Sequence, residues 1–170
     1  VYSKKTLKRH FKAFDSAFEK LDHLICYSVK ANSNLSILRH IGEWGGGADI
    51  VSGGELFRAR KAGINNRKIV YSGVGKKDDE ILYALNSDIL MFNVESIQEL
   101  IRIEEIAKNS GKIARISLRI NPDVDPQTHP YISTGLKENK FGLNTESAMA
   151  AYVLAKGSPF LEAIGIDCHI

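Results

Sequence analysis

The sequence is short of cysteine and carries no dominant charge. Only two of its 170 residues are cysteines, Cys26 and Cys168, and the formal net charge is +3. Two cysteines give no disulfide framework, so a reducing cytoplasm is the expected compartment. No basic run stands apart from the acids, which argues against a dedicated nucleic-acid-binding protein. No apolar stretch approaches the length of a membrane span, and no signal peptide opens the chain.

Several common ligand-binding motifs are also missing. The dinucleotide fingerprint follows a strand, whereas the glycine run at 45–47 precedes a predicted one. Residues 71–76 lack the spacing of a phosphate-binding P-loop. The five histidines do not have the spacing of metal ligands, so no metal site is expected. They are His10, His23, His40, His129 and His169.

The chain instead shows a repeated alternation of short apolar strands and amphipathic helices. The pattern predicts strands at 24–30, 47–51, 69–72, 89–92, 114–120 and 161–170. It predicts helices at 3–21, 34–41, 54–62, 78–85, 94–108 and 145–156. Strand–helix units joined by short links favour a parallel sheet covered by helices, either an open doubly wound sheet or a closed barrel.

The length of the chain bears on the choice between these two architectures. An eightfold barrel needs about 250 residues, and this chain would hold about six of its strands. A six-stranded arc would leave two unpaired edges and an exposed core. Because the chain also stops at Ile170, inside a predicted strand, we expect residues 1–170 to be an incomplete domain of a longer protein.

The stretch 24–32 ends its predicted strand on a lysine, Lys30. The carboxyl end of a buried parallel strand is where β/α enzymes hold their catalytic residues. Burial there would disfavour the ammonium form and expose an amine that forms a Schiff base with a carbonyl, as with pyridoxal phosphate. The alternative is a structural lysine whose stem covers apolar surface while its charge reaches water.

Three further polar side chains are predicted at the same rim. Strand alternation places Asp49, Arg119 and His169 beside Lys30, with the aliphatic residues turned toward the helices. Polar groups converging from separate strands indicate a catalytic site. Taken singly, Asp49 could be a loop acid, Arg119 a surface ion-pair partner and His169 a hydrogen-bonded core histidine.

Five segments together resemble the fold type III pyridoxal-phosphate enzymes and, among them, the diaminopimelate decarboxylase family. They are residues 27–32, 47–56, 119–124, 128–142 and 168–170. The most discriminating is 128–142, which runs from Thr128 through His-Pro-Tyr-Ile-Ser-Thr-Gly to Lys-Phe-Gly. Ornithine and arginine decarboxylases of this fold share the lysine strand and the Lys-Phe-Gly end but lack the remainder of that run.

The resemblance implies a fold and an activity. The fold would be a (β/α)8 TIM-type barrel of the alanine racemase and ornithine decarboxylase kind, with about six of its eight strands in residues 1–170. The last barrel strands and a β domain would lie beyond Ile170. The implied activity is pyridoxal-phosphate-dependent decarboxylation of meso-2,6-diaminopimelate to L-lysine and CO2, by a cytoplasmic homodimer.

The resemblance also leaves alternatives open. One is a related basic amino-acid or polyamine-pathway decarboxylase, and another is a non-catalytic pyridoxal-phosphate carrier of the same fold. A third is a truncated chain that acts only as an interaction piece. Residues 1–170 alone are expected to be inactive, because the phosphate loop, the substrate arginine and the catalytic cysteine of the family come later in sequence.

Individual residues match the cofactor site of the family. Lys30 matches the lysine that holds the cofactor covalently, and His169 matches the histidine that stacks on its ring, so both are candidate catalytic residues. Asp49 and Glu55 match acids on the cofactor side of the barrel mouth, and Arg119 matches an arginine nearby.

Two positions near these motifs have a less direct correspondence. Lys140 matches a lysine near the dimer interface of the family. Asp167 departs from the family pattern, since relatives often carry a bulkier or neutral residue there, and this departure affects the hydrogen bonding expected beside His169.

Overall fold

The computed structural model describes residues 1–121 and 141–169. Within them the chain forms six strands and six longer helices in strict alternation after the first helix. The strands are β1 (Cys26–Ser28), β2 (Gly47–Ile50), β3 (Ile69–Tyr71), β4 (Met91–Val94), β5 (Ala114–Arg119) and β6 (Leu161–Asp167). The helices are α1 (Lys4–Ala17), α2 (Leu35–Glu43), α3 (Gly53–Lys61), α4 (Asp78–Asn86), α5 (Ile97–Asn109) and α6 (Thr145–Gly157).

The six strands form one sheet in the order β1-β2-β3-β4-β5-β6, and every pairing is parallel. Successive strands are neighbours because each helix carries the chain back across one face of the sheet. All carboxyl ends therefore meet at the same edge. Within the described residues β1 and β6 are each paired on one side only.

The main core lies between the outer face of the sheet and the helices. Ile50, Phe92 and Leu118 point from three strands into this layer and are at most 1% exposed. Leu56 and Leu100 meet them from α3 and α5. Each such side chain contributes roughly 1.5–3 kcal/mol on burial, so this layer supplies the apolar free energy that holds the sheet.

Two β–α junctions share the same capping arrangement, which fixes the strand ends that border the site. Ser52 accepts a hydrogen bond from the backbone N–H of Glu55, and the Glu55 carboxylate accepts one from the N–H of Val51 at 2.8 Å. Ser96 and Glu99 repeat this geometry at the start of α5. The Ser-x-x-Glu spacing makes both junctions readable from sequence.

The structure corrects several predicted bounds, first of all those of β1 and α1. Strand β1 ends at Ser28, and Lys30 lies on the single 3-10 turn that follows, Val29–Ala31, rather than in the strand. Helix α1 ends at Ala17, and of the predicted apolar face only Phe11 is buried, against Ile37 and Ile41 of α2. Phe14 is 57% exposed, so most of that face has no cover among the described residues.

The pairing of β5 with β6 contains one irregularity. Ile116 is opposite Ala163 but Ser117 is opposite Gly165, so Ile164 is an extra residue in β6. The bulge reverses the alternation within β6, and Asp167 is thereby brought opposite Arg119.

None of the described helices is long and apolar enough to cross a bilayer.

Candidate active site

A cavity opens at the carboxyl ends of the strands. Charged and titratable side chains reach it from three strands and from the segments that follow three strands. They are Lys30, Asp49, Glu95, Arg119, Asp167 and His169. This is the edge where parallel β/α folds place their ligands. Among the described residues no group of His, Cys, Asp and Glu side chains has the arrangement of a metal site.

Lys30 lines this cavity from the turn after β1. Val29 beside it is fully buried, and the Tyr27 hydroxyl donates to the carbonyl of Asn32 at 3.3 Å, which fixes the backbone of the turn. Lys30 itself is exposed. The sequence-based expectation of a buried lysine is therefore wrong. Lys30 nevertheless faces the same space as Asp49, which the sequence predicted.

Asp49 is held from both sides by hydroxyl groups. The Ser28 hydroxyl donates to Oδ2 at 3.3 Å, and the Ser72 hydroxyl donates to Oδ1 at 2.5 Å. Ser28 is on β1, directly opposite Asp49 in the sheet, whereas Ser72 follows β3. The carboxylate is therefore part of the sheet's inner face and is not a loop acid.

Arg119 forms a buried ion pair with Glu95. Its Nη1 donates to Glu95 Oε2 at 2.8 Å, and the two residues are 6% and 5% exposed. The other Glu95 oxygen accepts the backbone N–H of Gly73 at 3.1 Å. Arg119 Nε is buried without a hydrogen-bond partner among the described residues. An unsatisfied buried donor is costly, and the Arg119 side chain that carries it lines the cavity.

Sequence reasoning did not single out Glu95. The predicted fourth strand ended at Phe92, whereas β4 runs to Val94 and Glu95 follows it directly. The Ser96-x-x-Glu99 capping signal was present in the sequence and would have placed the helix start at Ile97. That start would have assigned Glu95 to the strand end, where functional side chains are expected.

Asp167 and His169 close the cavity on the β6 side. Burial raises the pKa of the Asp167 carboxyl above its usual range, and Glu95 and Asp49 raise it further, whereas Arg119 and His169 oppose the shift. His169 follows β6, lines the cavity and is exposed, so it is not a core histidine. Asp167 is thus a carboxyl within an acidic group whose charges Arg119 partly balances.

Phe141 and Gly142 bring the chain back to the rim after β5. Leu143 donates its N–H to the carbonyl of Arg119 at 2.8 Å, and Phe141 lines the cavity. Gly142 has φ of 85°, and a Cβ there would lie 3.2 Å from Arg119 Cγ. The glycine of the Lys-Phe-Gly motif therefore leaves room for the Arg119 side chain.

One predicted cofactor-site residue does not line the cavity, and one predicted interface residue falls outside the residues that the structure describes. Glu55 is absent from the lining of the cavity. Its carboxylate accepts the N–H of Val51, a residue that does line the cavity. Lys140, the predicted interface residue, lies outside the described residues.

Lys76 is a second lysine near the rim, and its role was not anticipated. Its side chain is 1% exposed, and Nζ donates to the carbonyls of Gly73 and Asn93 and to Glu99 Oε1 at 2.6 Å. The ammonium also lies 5.5 Å from the centre of the Tyr71 ring. Since all its donors are used within the protein, Lys76 joins the ends of β3 and β4 to α5.

Parallel strands in sequential order, outer helices and a lysine, acids and an arginine at the carboxyl ends define this chain as part of a β/α-barrel enzyme. Residues 4–170 match the model of the pyridoxal-dependent decarboxylase pyridoxal binding domain. The chain therefore belongs to the pyridoxal-dependent decarboxylase family, and its match is to the domain that binds the cofactor. This agrees with the pyridoxal phosphate expected from the sequence.

Within this family, the chain is similar to curated proteins named diaminopimelate decarboxylase. The chain is 54% identical over all 170 residues to diaminopimelate decarboxylase of Neisseria meningitidis serogroup B. It is 55% identical to the enzyme of that name from Haemophilus influenzae. In both cases it covers 41% of the relative, so it spans about two fifths of the length of the proteins it matches.

Solved structures confirm the predicted fold class. Diaminopimelate decarboxylase from Helicobacter pylori, complexed with L-lysine, superposes with a TM-score of 0.97 at 52% identity, covering 99% of this chain and 43% of that one. The enzyme from M. jannaschii gives 0.91 at 42% identity, covering 99% and 41%. An arginine decarboxylase of a Chlorella virus gives 0.83 at 23% identity over 98% and 42%, which shows the shared fold alone.

Proposed function

We propose that the full-length protein decarboxylates meso-2,6-diaminopimelate to L-lysine and CO2, with pyridoxal phosphate carried on Lys30. The observation that carries the proposal is the shared cavity of Lys30, Asp49, Arg119 and His169 in a member of this family. The substrate follows from relatives named diaminopimelate decarboxylase that are 50–55% identical over the whole chain.

The residues present fit the cofactor. A lysine amine is the group that condenses with the aldehyde of pyridoxal phosphate, and Lys30 presents one at the cavity. The unpartnered Nε–H of Arg119 is a donor for an anionic or phenolic oxygen. When bound, pyridoxal phosphate supplies an electron sink for the charge left on the substrate carbon as CO2 departs.

The protein's own groups would position the reactants. Glu95 holds Arg119 in place, and the Ser28 and Ser72 hydroxyls hold Asp49. The charged side chains that line the cavity are therefore oriented before a ligand binds. His169 would present its ring to the flat face of the cofactor. Such preorganisation would hold the bond to be broken at the required angle.

The substrate and the assembly extend the same proposal. The Helicobacter pylori structures were determined with L-lysine, and we propose that L-lysine binds here as the product. We also propose a cytoplasmic homodimer in which Lys140 lies near the subunit interface. The family's phosphate loop, catalytic cysteine and β domain would come after Ile170, and residues 1–170 alone would be inactive.

Three alternatives to this activity are distinguished by the test described below. A decarboxylase acting on arginine or ornithine would share the cavity, but the arginine decarboxylase match, at 23% identity, supports only the fold. A non-catalytic pyridoxal-phosphate carrier would keep Lys30 and release no CO2. An interaction piece would need neither cofactor nor substrate.

The test is release of CO2 by the full-length protein loaded with pyridoxal phosphate. We expect turnover of meso-2,6-diaminopimelate, little or none of L-arginine and L-ornithine, and loss of at least about a thousandfold in Lys30→Ala. Lys20→Ala, which alters an exposed lysine away from the cavity, is the control and should match the parent. Equal turnover of arginine, or no CO2 from any of the three, would refute the proposal.

A further inference from the structure

A continuous series of hydrogen bonds crosses the inner face of the sheet from β5 to β1. The Ser117 hydroxyl donates to Asn93 Oδ1, and Asn93 Nδ2 donates to the Ser72 hydroxyl at 3.0 Å. Ser72 donates in turn to Asp49 Oδ1 at 2.5 Å, and Ser28 donates to Asp49 Oδ2 at 3.3 Å. We call these five residues the polar chain. It contains one charged group, Asp49.

The chemistry of the groups gives the polar chain a direction. A carboxylate can only accept, so Ser72 must donate to Asp49 and has its oxygen free for a donor. That donor is the amide nitrogen of Asn93, which leaves the Asn93 oxygen facing Ser117. With the amide turned the other way, the Asn93 oxygen would face the Ser72 oxygen, whose only proton is already donated to Asp49. Every bond therefore points toward Asp49.

The far end of the polar chain does not reach the cavity. Ser117 is fully buried, Asn93 is 7% exposed, and neither lines the cavity, whereas Ser72 and Asp49 do. Asn93 and Ser117 face each other directly across β4 and β5. Any effect of Ser117 on the cavity must therefore pass through its neighbours in the sheet.

We propose that Ser117 and Asn93 are positioning residues that orient the Asp49 carboxylate through Ser72. This inference rests on the proposed function, because the property it explains is the affinity of the cavity for pyridoxal phosphate. Ser72 carries the last bond to Asp49, and Ser117 fixes the amide of Asn93 so that its nitrogen meets Ser72. Removal of either hydroxyl frees the carboxylate to turn away from Lys30.

A double-mutant cycle on the dissociation constant of pyridoxal phosphate tests the inference in the full-length protein. We expect Ser72→Ala to weaken binding about tenfold and Ser117→Ala about threefold. In the Ser72→Ala background, Ser117→Ala should change nothing further, because the connection to Asp49 is already cut. Ser72→Thr keeps the hydroxyl and should restore binding to near the parent value.

The matched control removes a buried hydroxyl outside the polar chain. Ser87 is 4% exposed and donates to the carbonyl of Tyr83 within α4, so Ser87→Ala makes the same chemical change without touching the cavity. It should leave the dissociation constant unchanged. Effects of Ser72→Ala and Ser117→Ala that multiply to about thirtyfold would contradict the inference, since independent losses multiply and coupled ones do not.

A second readout separates this inference from the proposed function. In a crystal structure of the cofactor-free full-length Ser117→Ala variant, the Asn93 Nδ2 to Ser72 Oγ distance should exceed about 3.5 Å, beyond hydrogen-bond range. An unchanged distance and an unmoved Asp49 carboxylate would overturn the inference. A parent protein that binds no pyridoxal phosphate would refute the proposed function while leaving this structural test intact.

Discussion

Arg119 is a buried cation at the wall of the cavity. Glu95 fixes its Nη1, and Gly142 packs against its stem, where an added Cβ would lie 3.2 Å from Arg119 Cγ and 2.8 Å from Asn121 Oδ1. The remaining Nε–H points to no described partner. A side chain at position 142 would therefore press on the stem of Arg119 and on Asn121.

The first prediction concerns Gly142→Ala. The substitution should cost about 1–3 kcal/mol in unfolding free energy and weaken pyridoxal phosphate binding about tenfold, because it strains the backbone and displaces Arg119. Gly63→Ala is the control, since Gly63 has a similar φ of 87° but open space where its Cβ would lie. Gly63→Ala should lose stability and keep its affinity. Equal affinities in the two variants would show that Gly142 does not act on Arg119.

The second prediction concerns the pH dependence of stability at Asp167. Burial raises the pKa of this carboxyl in the folded protein, so the folded state binds its proton more tightly than the unfolded state. Stability is therefore lost as pH rises from about 4, where an unfolded aspartate ionises, through the folded value. Asp167→Asn removes this loss.

Thermal unfolding measured between about pH 4 and pH 8 tests whether Asp167 lowers stability as the pH rises. The Asp167→Asn variant should melt above the parent at neutral pH, and the difference should shrink as the pH approaches 4. A variant that melts further below the parent at pH 7 than at pH 4 would show that Arg119 outweighs burial, and an equal difference at both pH values would show no net shift of the pKa.

At the scale of elements, Lys76 joins two strand ends to a helix. It holds the carbonyls of Gly73 and Asn93 and pairs with Glu99 of α5, all with its side chain 1% exposed. Burial raises the pKa of the Glu99 carboxyl and the ammonium of Lys76 opposes that shift. Removing the lysine therefore leaves a buried acid without its partner.

The third prediction is that Lys76→Met lowers the unfolding free energy by about 3 kcal/mol, measured by urea denaturation. A double variant, Lys76→Met with Glu99→Leu, should recover part of the loss because no unpaired buried charge remains. A single variant that loses less than about 1 kcal/mol, or a double variant worse than the sum of both changes, would contradict this assignment.

The positions of the strands and helices could be predicted from the sequence, but several contacts between them could not. Alternation and capping signals located the six strands and six helices to within a few residues, because these signals are local. The bulge at Ile164 was not readable, since it depends on how β6 fits β5. The same holds for Lys76, since two of its three hydrogen-bond partners lie 17 and 23 residues away. Glu95 was missed for a local reason, a strand end placed too early.

At the scale of the whole molecule, the sheet brings distant residues to one edge. Lys30 and His169 are separated by most of the chain, yet both line the cavity with Asp49 and Arg119. Parallel strands in sequential order produce this convergence, so it could be anticipated once the period of the pattern was recognised. The exposure of Lys30 could not, because it depends on the turn that ends β1 two residues earlier than predicted.

The most direct measurement is the site at which pyridoxal phosphate becomes attached. The full-length protein is loaded with pyridoxal phosphate, reduced with borohydride to fix the bond, digested and analysed by mass spectrometry. The account predicts that the label lies on the peptide containing Lys30, is lost in Lys30→Ala and persists in Lys20→Ala. A label on Lys76 or another lysine, or a Lys30→Ala variant labelled as fully as the parent, would contradict it.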